Sequence, residues 1–475
     1  MDKHYDSSIL SSFPEADSAK ADVLLREAVE KDQSKIVVLD DDPTGVQTVH
    51  DISVYTQWDE TSIRQGFAEK NKLFYILTNS RGMTKKETAE CHKEIAGSIA
   101  RIAGETGKKF ILMSRSDSTL RGHYPLETEI LREELAKNGI QTDGEILCPF
   151  FQEGGRFTFN NIHYVKQENE LVPAAETEFA RDQTFGYRHS SIPGYIEEKT
   201  GGAYPADSVT CISLESLRNM DLEGIEDKLN RVCDFNKICV NAVSYDDVKV
   251  FAVALYRSLA KGKHYLFRTA AGFVKAVANI SDKPLLTRKE MSPDLPTNGG
   301  LVIVGSHTEK TTQQLKELLK LENVIPIEFD SDKVLAGDKD FYSEVERCVR
   351  LEEENIRNGK TVVCFTKRKL LCLPGDTEEA ALQRSVQISE GVQRLVGLLR
   401  VRPAFVIAKG GITSSDIGTK ALKVKRAVVL GQILPSVPVW QLGEESTFPG
   451  MPYIIFPGNT GNKNSLREAV EKLSE

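Results

Sequence analysis

Among the 475 residues, no apolar run approaches the roughly 18 that a membrane-spanning helix needs. The opening MDKHYDSS lacks the apolar core of a secretory signal, so a cytoplasmic protein without a membrane partner is the expectation. Basic residues are not in excess: 61 Lys and Arg face 69 Asp and Glu, a formal charge of −8. That balance argues against nucleic acid as a partner, which would need a basic footprint. It leaves room for a small anion held by a local cluster of Arg, Lys and backbone N–H groups. Cysteine is present but unorganised. Cys91, Cys148, Cys211, Cys233, Cys239, Cys348, Cys364 and Cys372 form no C-x-x-C, and no Cys/His group has zinc-ligand spacing. Free, mostly core thiols in a reducing compartment are expected. There is no internal repeat and no low-complexity tract.

What is present reads as an ordinary folded chain. Hydrophobic residues make up 40% and charged residues 27%, which excludes extensive disorder. At roughly 150 residues per domain, the length suggests two or three domains. Residues 1–34 are polar, with one helical stretch around Val23–Val29, and read as an N-terminal arm. Lys35–Leu39 is a β-branched strand. Further buried strands are expected at Leu73–Leu77, Phe110–Met113, Glu145–Cys148, Val209–Ile212 and Lys237–Val240, with helices between them such as Lys85–Gly104 and Pro125–Asn138. That alternation implies an α/β domain over 35–285 with a largely parallel sheet. A Pro-, Gly- and charge-rich stretch follows, giving a linker at 286–299. A second α/β domain then occupies 300–475, with strands at Gly300–Val304, Val324–Ile327, Thr361–Phe365, Ala404–Ala408 and Ala427–Leu430.

In parallel sheets, ligands bind at the carboxyl ends of strands. The first strand ends in Asp40-Asp41-Asp42-Pro43-Thr44-Gly45. Three adjacent carboxylates repel one another unless a cation or a shared proton intervenes; a solvated acidic turn is the plainer alternative. The second strand leads to Thr78-Asn79-Ser80-Arg81-Gly82, and the third to Ser114-Arg115-Ser116-Asp117-Ser118-Thr119-Leu120-Arg121-Gly122-His123. Hydroxyls, a carboxylate and two arginines suit a polyhydroxylated anion, because Arg can fork onto a carboxylate. The plainer alternative is a Ser/Thr helix cap with surface arginines. After the fourth strand, Phe150 and Phe151 read as core, whereas Arg156 offers a cation. In the second domain, Gly305-Ser306-His307-Thr308, Lys409 to Asp416, and Pro457 to Gly461 are glycine or hydroxyl turns after apolar runs. None is a Walker A motif or G-x-G-x-x-G, but three together favour a phosphate-rich ligand. His307 reads as a polar loop residue.

The order D-D-x-T-G, D-S-T-L-R-G, C-P-x-F-x-x-x-G-R and E-T-E-F-A-R-D (Glu176–Asp182) resembles the four-carbon acid sugar kinases, over roughly residues 35 to 470. The resemblance implies a sugar-acid-binding domain followed by a nucleotide-binding domain, with the active site in the cleft between them. It implies an ATP- and Mg²⁺-dependent transferase of carbohydrate metabolism. The reaction would phosphorylate the terminal hydroxyl of threonate, erythronate or a 3-oxo-tetronate. Carried over by motif, Asp41, Asp42 and Asp117 would supply the catalytic carboxylate, and Thr44, Arg81, Ser116, Arg121 and Arg156 would bind the acid. Ser306, Gly410, Gly411, Ile412, Thr413, Gly458 and Asn459 would bind ATP. Asp40 and Pro43 depart from the Ala and Phe of many members, and Asn160-Asn161 also departs. These changes bear on the substrate. The partners implied are small molecules, and a homo-oligomer is compatible with the sequence.

Two rival readings belong to other classes. Asp40-Asp41-Asp42-Pro43-Thr44 also fits the nucleophile loop of haloacid-dehalogenase-like phosphatases, with Asp40 as nucleophile and Asp42 as acid/base. That reading leaves D-S-T-L-R-G and the second domain unexplained. A non-catalytic acid-sugar sensor could share the two-domain layout.

Overall fold

The computed structural model describes residues 2–292, 297–369, 371, 373 and 375–474. The chain forms two α/β units: Met1–Thr48 with Gln57–Asp282, and Val49–Thr56 with Lys283–Glu475.

The first unit is built on seven parallel strands. Their order is Thr210–Ile212, Asn236–Val240, Gly144–Cys148, Tyr265–Thr269, Phe110–Arg115, Lys35–Asp40 and Leu73–Leu77. Lys35–Asp40 and Leu73–Leu77 are buried at every position, as expected of strands covered on both faces. The intervening helices carry their own start and stop signals. Thr84 and Glu87 form a capping box before Lys85–Thr106, and Gly107 at φ +64° ends that helix. Register sets up the site: Asp40 lies beside Leu77 on one side and Arg115 on the other, and Arg115 lies beside Thr269.

Residues 1–34 are no loose arm. Tyr5–Asp6 pairs with Glu170 and Leu171 in a second, antiparallel sheet, and the helix Ser18–Lys31 buries Ala21 and Leu25. Lys249 ties that helix to Tyr245–Ala260 through Asp22 at 2.7 Å. The small sheet also contains Arg156–Phe159, Ile162–Gln167 and Glu170–Pro173. Asn160 and Asn161, at φ +52° and +62°, make its two-residue hairpin turn. Asparagine tolerates this left-handed backbone, so a turn requirement accounts for that departure from the family pattern.

The second unit carries an eight-stranded mixed sheet. Pro452–Phe456, Val406–Lys409, Leu301–Val304, Thr361–Thr366 and Val324–Phe329 run parallel. Ile52–Tyr55, Arg426–Leu434 and Val437–Leu442 extend the sheet antiparallel. Residues 49–56 therefore belong here, inside a stretch that the sequence reading assigns to the first domain. The stretch read as a linker is partly core: Leu286 and Met291 are buried with the second unit's apolar residues, while 293–296 lie outside the described residues. Seven cysteines are free and five of those are buried; Cys372 lies outside the described residues.

One ion pair in the first unit is completely buried. Lys237 Nζ lies 2.6 Å from Glu145, and both side chains are 0% exposed. The ammonium also sits 3.8 Å from the Phe235 ring centroid and 4.1 Å from that of Tyr204. Breaking such a pair strands a charge, whereas replacing both partners does not. Lys237→Met should destabilise the first unit by about 3–5 kcal/mol in urea unfolding, and adding Glu145→Leu should recover most of that loss. Equal stability of the single variant and wild type would contradict this account.

Candidate functional site

The first unit gathers its polar side chains where the strands end. Asp40 closes the central strand and is 1% exposed. One oxygen accepts from Arg115 Nη1 at 3.0 Å, and the other has no hydrogen-bond partner. The turn folds back over this carboxylate at Gly45, where a Cβ would lie 2.1 Å from Asp40 Oδ2. Burial lifts the Asp40 pKa to about 7; Asp41 and Asp42 push the same way, against Arg115.

Arg81 forks onto Asp41 with Nε at 3.1 Å and Nη2 at 2.6 Å, and reaches Asp42 with Nη1 at 3.2 Å. Ser116 donates to Asp41 at 2.7 Å, and Thr44 donates to Asp42 through its N–H at 2.8 Å and through its hydroxyl. Burial alone would raise the Asp42 pKa, but Arg81 and Thr44 outweigh it and hold the carboxyl below its usual range. Asp117 accepts from Arg121 Nε at 2.8 Å and from the Thr119 hydroxyl. Burial again opposes, yet Arg81 and Arg121 hold Asp117 well below the usual range. Asp41 is 3% exposed, whereas Asp117 and Asp42 keep 11% and 18%. The last two therefore remain reachable.

The turn Asp117–Gly122 is backbone-constrained. Leu120 has φ +68°, and Gly122 at φ +117° leaves room for Ser116, whose Oγ would be 2.8 Å from a Cβ there. Arg121 and Arg156 both lie over the ring of Phe179, at 5.0 and 5.6 Å from its centroid. Asp182 is 3.8 Å from Arg121. The Glu176–Asp182 motif thus contributes an aromatic platform and an acid. Arg268, on Tyr265–Thr269, donates to the Arg121 carbonyl at 2.6 Å. Arg115, Arg156 and Arg268 each keep a buried Nε without a partner. Guanidinium donors remain beyond those that hold Asp41, Asp42 and Asp117, and these suit an incoming anion.

All the residues expected at the first site come together in this unit. Arg268 is absent from the sequence reading; Arg115 and Phe179 stand there only as members of their motifs, Arg115 as one of two arginines suited to an anion. The signal for the two arginines is a charged residue in an otherwise apolar buried strand, FILMSR and YLFRT.

In the second unit, three loops converge after three neighbouring parallel strands, Pro452–Phe456, Val406–Lys409 and Leu301–Val304. A Cβ on Gly305 would lie 2.5 Å from Thr413 Oγ1. Gly410, at φ +123°, faces Ser306 and Thr413, and a Cβ there would lie 3.1 Å from the Ser306 Cβ. Thr311 Oγ1 lies 3.3 Å from both Ser306 Oγ and the Gly458 carbonyl. Lys409 Nζ holds the Pro457 and Gly458 carbonyls at 2.6 and 3.1 Å, and Lys310 holds the Asn459 carbonyl at 3.0 Å. Burial, helped by Lys310, lowers the Lys409 pKa to about 7. Gly411 opens the helix Gly411–Asp416. Ile412 is 78% exposed, so only its backbone belongs with these loops. His307 bonds Thr366 at 3.4 Å, as a polar loop residue would.

Among the described residues, no group of three or more His, Cys, Asp or Glu is arranged to hold a metal. The first-unit aspartates are spent on arginines. This donor set fits a Mg²⁺ carried on nucleotide phosphates better than one caged by protein oxygens.

The geometry agrees with the family comparison. Residues 36–277 match the sugar-binding N-terminal domain, and 301–466 match the nucleotide-binding C-terminal domain. The chain belongs to the family with this architecture, that of the four-carbon acid sugar kinases. Two solved structures share the fold. Haemophilus influenzae protein HI1011, of the DUF1537 family, is 17% identical with a TM-score of 0.61, covering 92% of this chain and 100% of its own. A putative tRNA synthase from Salmonella typhimurium LT2 is 15% identical with a TM-score of 0.66, covering 92% and 98%. No curated protein matches the chain in sequence. Among the described residues, no helix is long and apolar enough to cross a membrane.

The buried Asp40 gives a pH signature. Its folded pKa is raised from the usual 3.8 to about 7, so the folded state holds the proton more tightly. Stability contributed by this group is full below the unfolded value and is lost as pH rises through that window. Asp40→Asn removes the loss. Relative to wild type, the variant should gain ~2–4 kcal/mol between about pH 4 and pH 8 in urea unfolding. A difference that stays flat with pH would overturn the assignment.

Proposed function

We propose that the chain is an ATP-dependent kinase for the terminal hydroxyl of a four-carbon sugar acid of the threonate, erythronate or 3-oxo-tetronate type. The observation that carries this reading is the set of unpartnered guanidinium nitrogens on Arg115, Arg156 and Arg268 in the first unit, in the same chain as three phosphate-type loops. Arg121 and Arg156, braced on Phe179, would take the carboxylate. Thr44 and Ser116 lie beside the aspartates, where hydroxyls of the acid would be recognised. Ser306, Gly410, Gly411, Ile412 (through its backbone), Thr413, Gly458 and Asn459 would receive ATP, with Mg²⁺ neutralising its phosphates.

Phosphoryl transfer needs a positioned hydroxyl, charge neutralisation and an acceptor for the hydroxyl proton. Asp42 and Asp117 are the acceptors we favour, because each retains reachable surface. Asp41 is saturated by Arg81 and Ser116 and acts by positioning Arg81. The phosphatase alternative fits poorly, because a nucleophile must be accessible and Asp40 is enclosed by Arg115 and the turn at Gly45. A sensor would bind the acid without turning over ATP.

The test is ATP consumption over a panel of C4 sugar-acid stereoisomers. Arg121→Ala or Arg156→Ala should raise the KM for the acid by about tenfold or more. Asp42→Asn or Asp117→Asn should lower kcat by roughly a hundredfold. Gly410→Val should raise the KM for ATP alone, because a side chain would strike Ser306 and strain the backbone. Acid binding without any ATP turnover across the panel would favour the sensor; phosphate release from generic phosphoesters would favour the phosphatase.

A further inference from the structure

The nucleotide-side loops contain one arginine that nothing neutralises. Arg368 follows the strand Thr361–Thr366. Its Nη2 donates to the Ser306 carbonyl and, at 3.3 Å, to Thr312 Oγ1, which its Nε also reaches at 3.4 Å. Its Nη1 is buried and has no partner. Among the described residues no carboxylate pairs with Arg368. Its neighbour Lys367, by contrast, holds Asp330 at 2.6 Å and Asp332 at 2.8 Å. Two other partly buried arginines of this unit are matched: Arg347 with Glu344, and Arg384 with Asp376.

The surroundings deepen the imbalance. Lys310 and Lys409 lie at the neighbouring loops and bond only carbonyls there. Burial, with no acid opposing it, weakens the hold of Arg368 on its proton, and burial together with the Arg368 charge lowers the His307 pKa. A half-buried guanidinium with one buried, unpartnered nitrogen and no acid gains from an anion that completes it. The guanidinium is held against the Ser306 carbonyl, which places an incoming anion beside the loops that meet there.

We propose that Arg368 is a phosphate-binding residue of the nucleotide site, using its free Nη1 to hold the terminal phosphates of ATP. The inference rests on the ATP use proposed above. A fork anchored at Nε and Nη2 leaves Nη1 pre-oriented, which lysine could not reproduce.

The test is calorimetric binding of ATP, ADP and adenosine to the full chain. Arg368→Ala should weaken ATP by about tenfold or more, ADP by less, and adenosine by no more than about twofold. Added guanidinium ion should restore part of the ATP affinity of that variant, a rescue that a purely structural role would not give. Arg368→Gln keeps a donor for the Ser306 carbonyl and removes the charge; it should lose ATP affinity while keeping the wild-type melting profile. Unchanged ATP affinity in Arg368→Gln would overturn the proposal, as would equal losses for ATP and adenosine. Failure of wild type to bind any of the three would instead defeat the ATP reading on which it rests.

Discussion

The strand Lys35–Asp40 ends in three consecutive carboxylates, and burying them is the constraint around which the first site is organised. Adjacent acids in a low-dielectric interior raise one another's pKa and resist ionisation together. Arg115 supplies the counter-charge for Asp40 from the neighbouring strand, and Arg81 spans Asp41 and Asp42 from the following loop. Several other features follow from that lattice. Gly45 has no side chain because the Asp40 carboxylate fills the space, and Gly122 gives way to Ser116, which bonds Asp41. Such a network is stable only when nearly every member is satisfied. The few unsatisfied nitrogens, on Arg115, Arg156 and Arg268, are therefore informative.

The two units solve opposite electrostatic problems. In the first, acids dominate the turn and arginines compensate them, with donors left over on the Phe179 side. In the second, the converging loops present hydroxyls, glycine backbone and cations, and Asp330, Asp332 and Asp416 are paired with lysines. Each pattern suits an anion, but of a different kind. On the kinase reading proposed above, the fork-and-hydroxyl site would take a carboxylate on a polyol. A glycine-and-hydroxyl loop cluster with unmatched cations reads phosphate.

Much of this was legible in the sequence, for a local reason. D-D-D-P-T-G, D-S-T-L-R-G and the three glycine turns each follow an apolar strand, and parallel topology brings the carboxyl ends of strands to one edge. What escaped was non-local. Arg115 and Arg268 reach the site through strand register, between residues distant in sequence. The strand Ile52–Tyr55 joins the second unit because its partner is Arg426–Leu434, a pairing that no local pattern encodes. Leu286 and Met291 sit in a stretch whose Pro, Gly and charge suggest a tether, yet two apolar side chains suffice to anchor it in a core. Gly410, rather than Gly411, carries the demand for an unusual backbone; only φ distinguishes two adjacent glycines.

The departure at Asp40 can be read in the same physical terms. Arg115 Nη1 lies 3.0 Å from Asp40 and 3.5 Å from Asp41, so one guanidinium is shared by two acids. With alanine at position 40, as in many members that this chain resembles, that charge would fall to Asp41 alone. An acid at 40 draws Arg115 back toward the strand and leaves Asp41 more dependent on Arg81 and Ser116. Arg81 is also the partner of Asp42 and lies close enough to Asp117 to depress its pKa. A substitution one residue behind the reachable carboxylates therefore acts on them through shared arginines, without touching a ligand itself. It is through this coupling that position 40 acts on the reachable carboxylates.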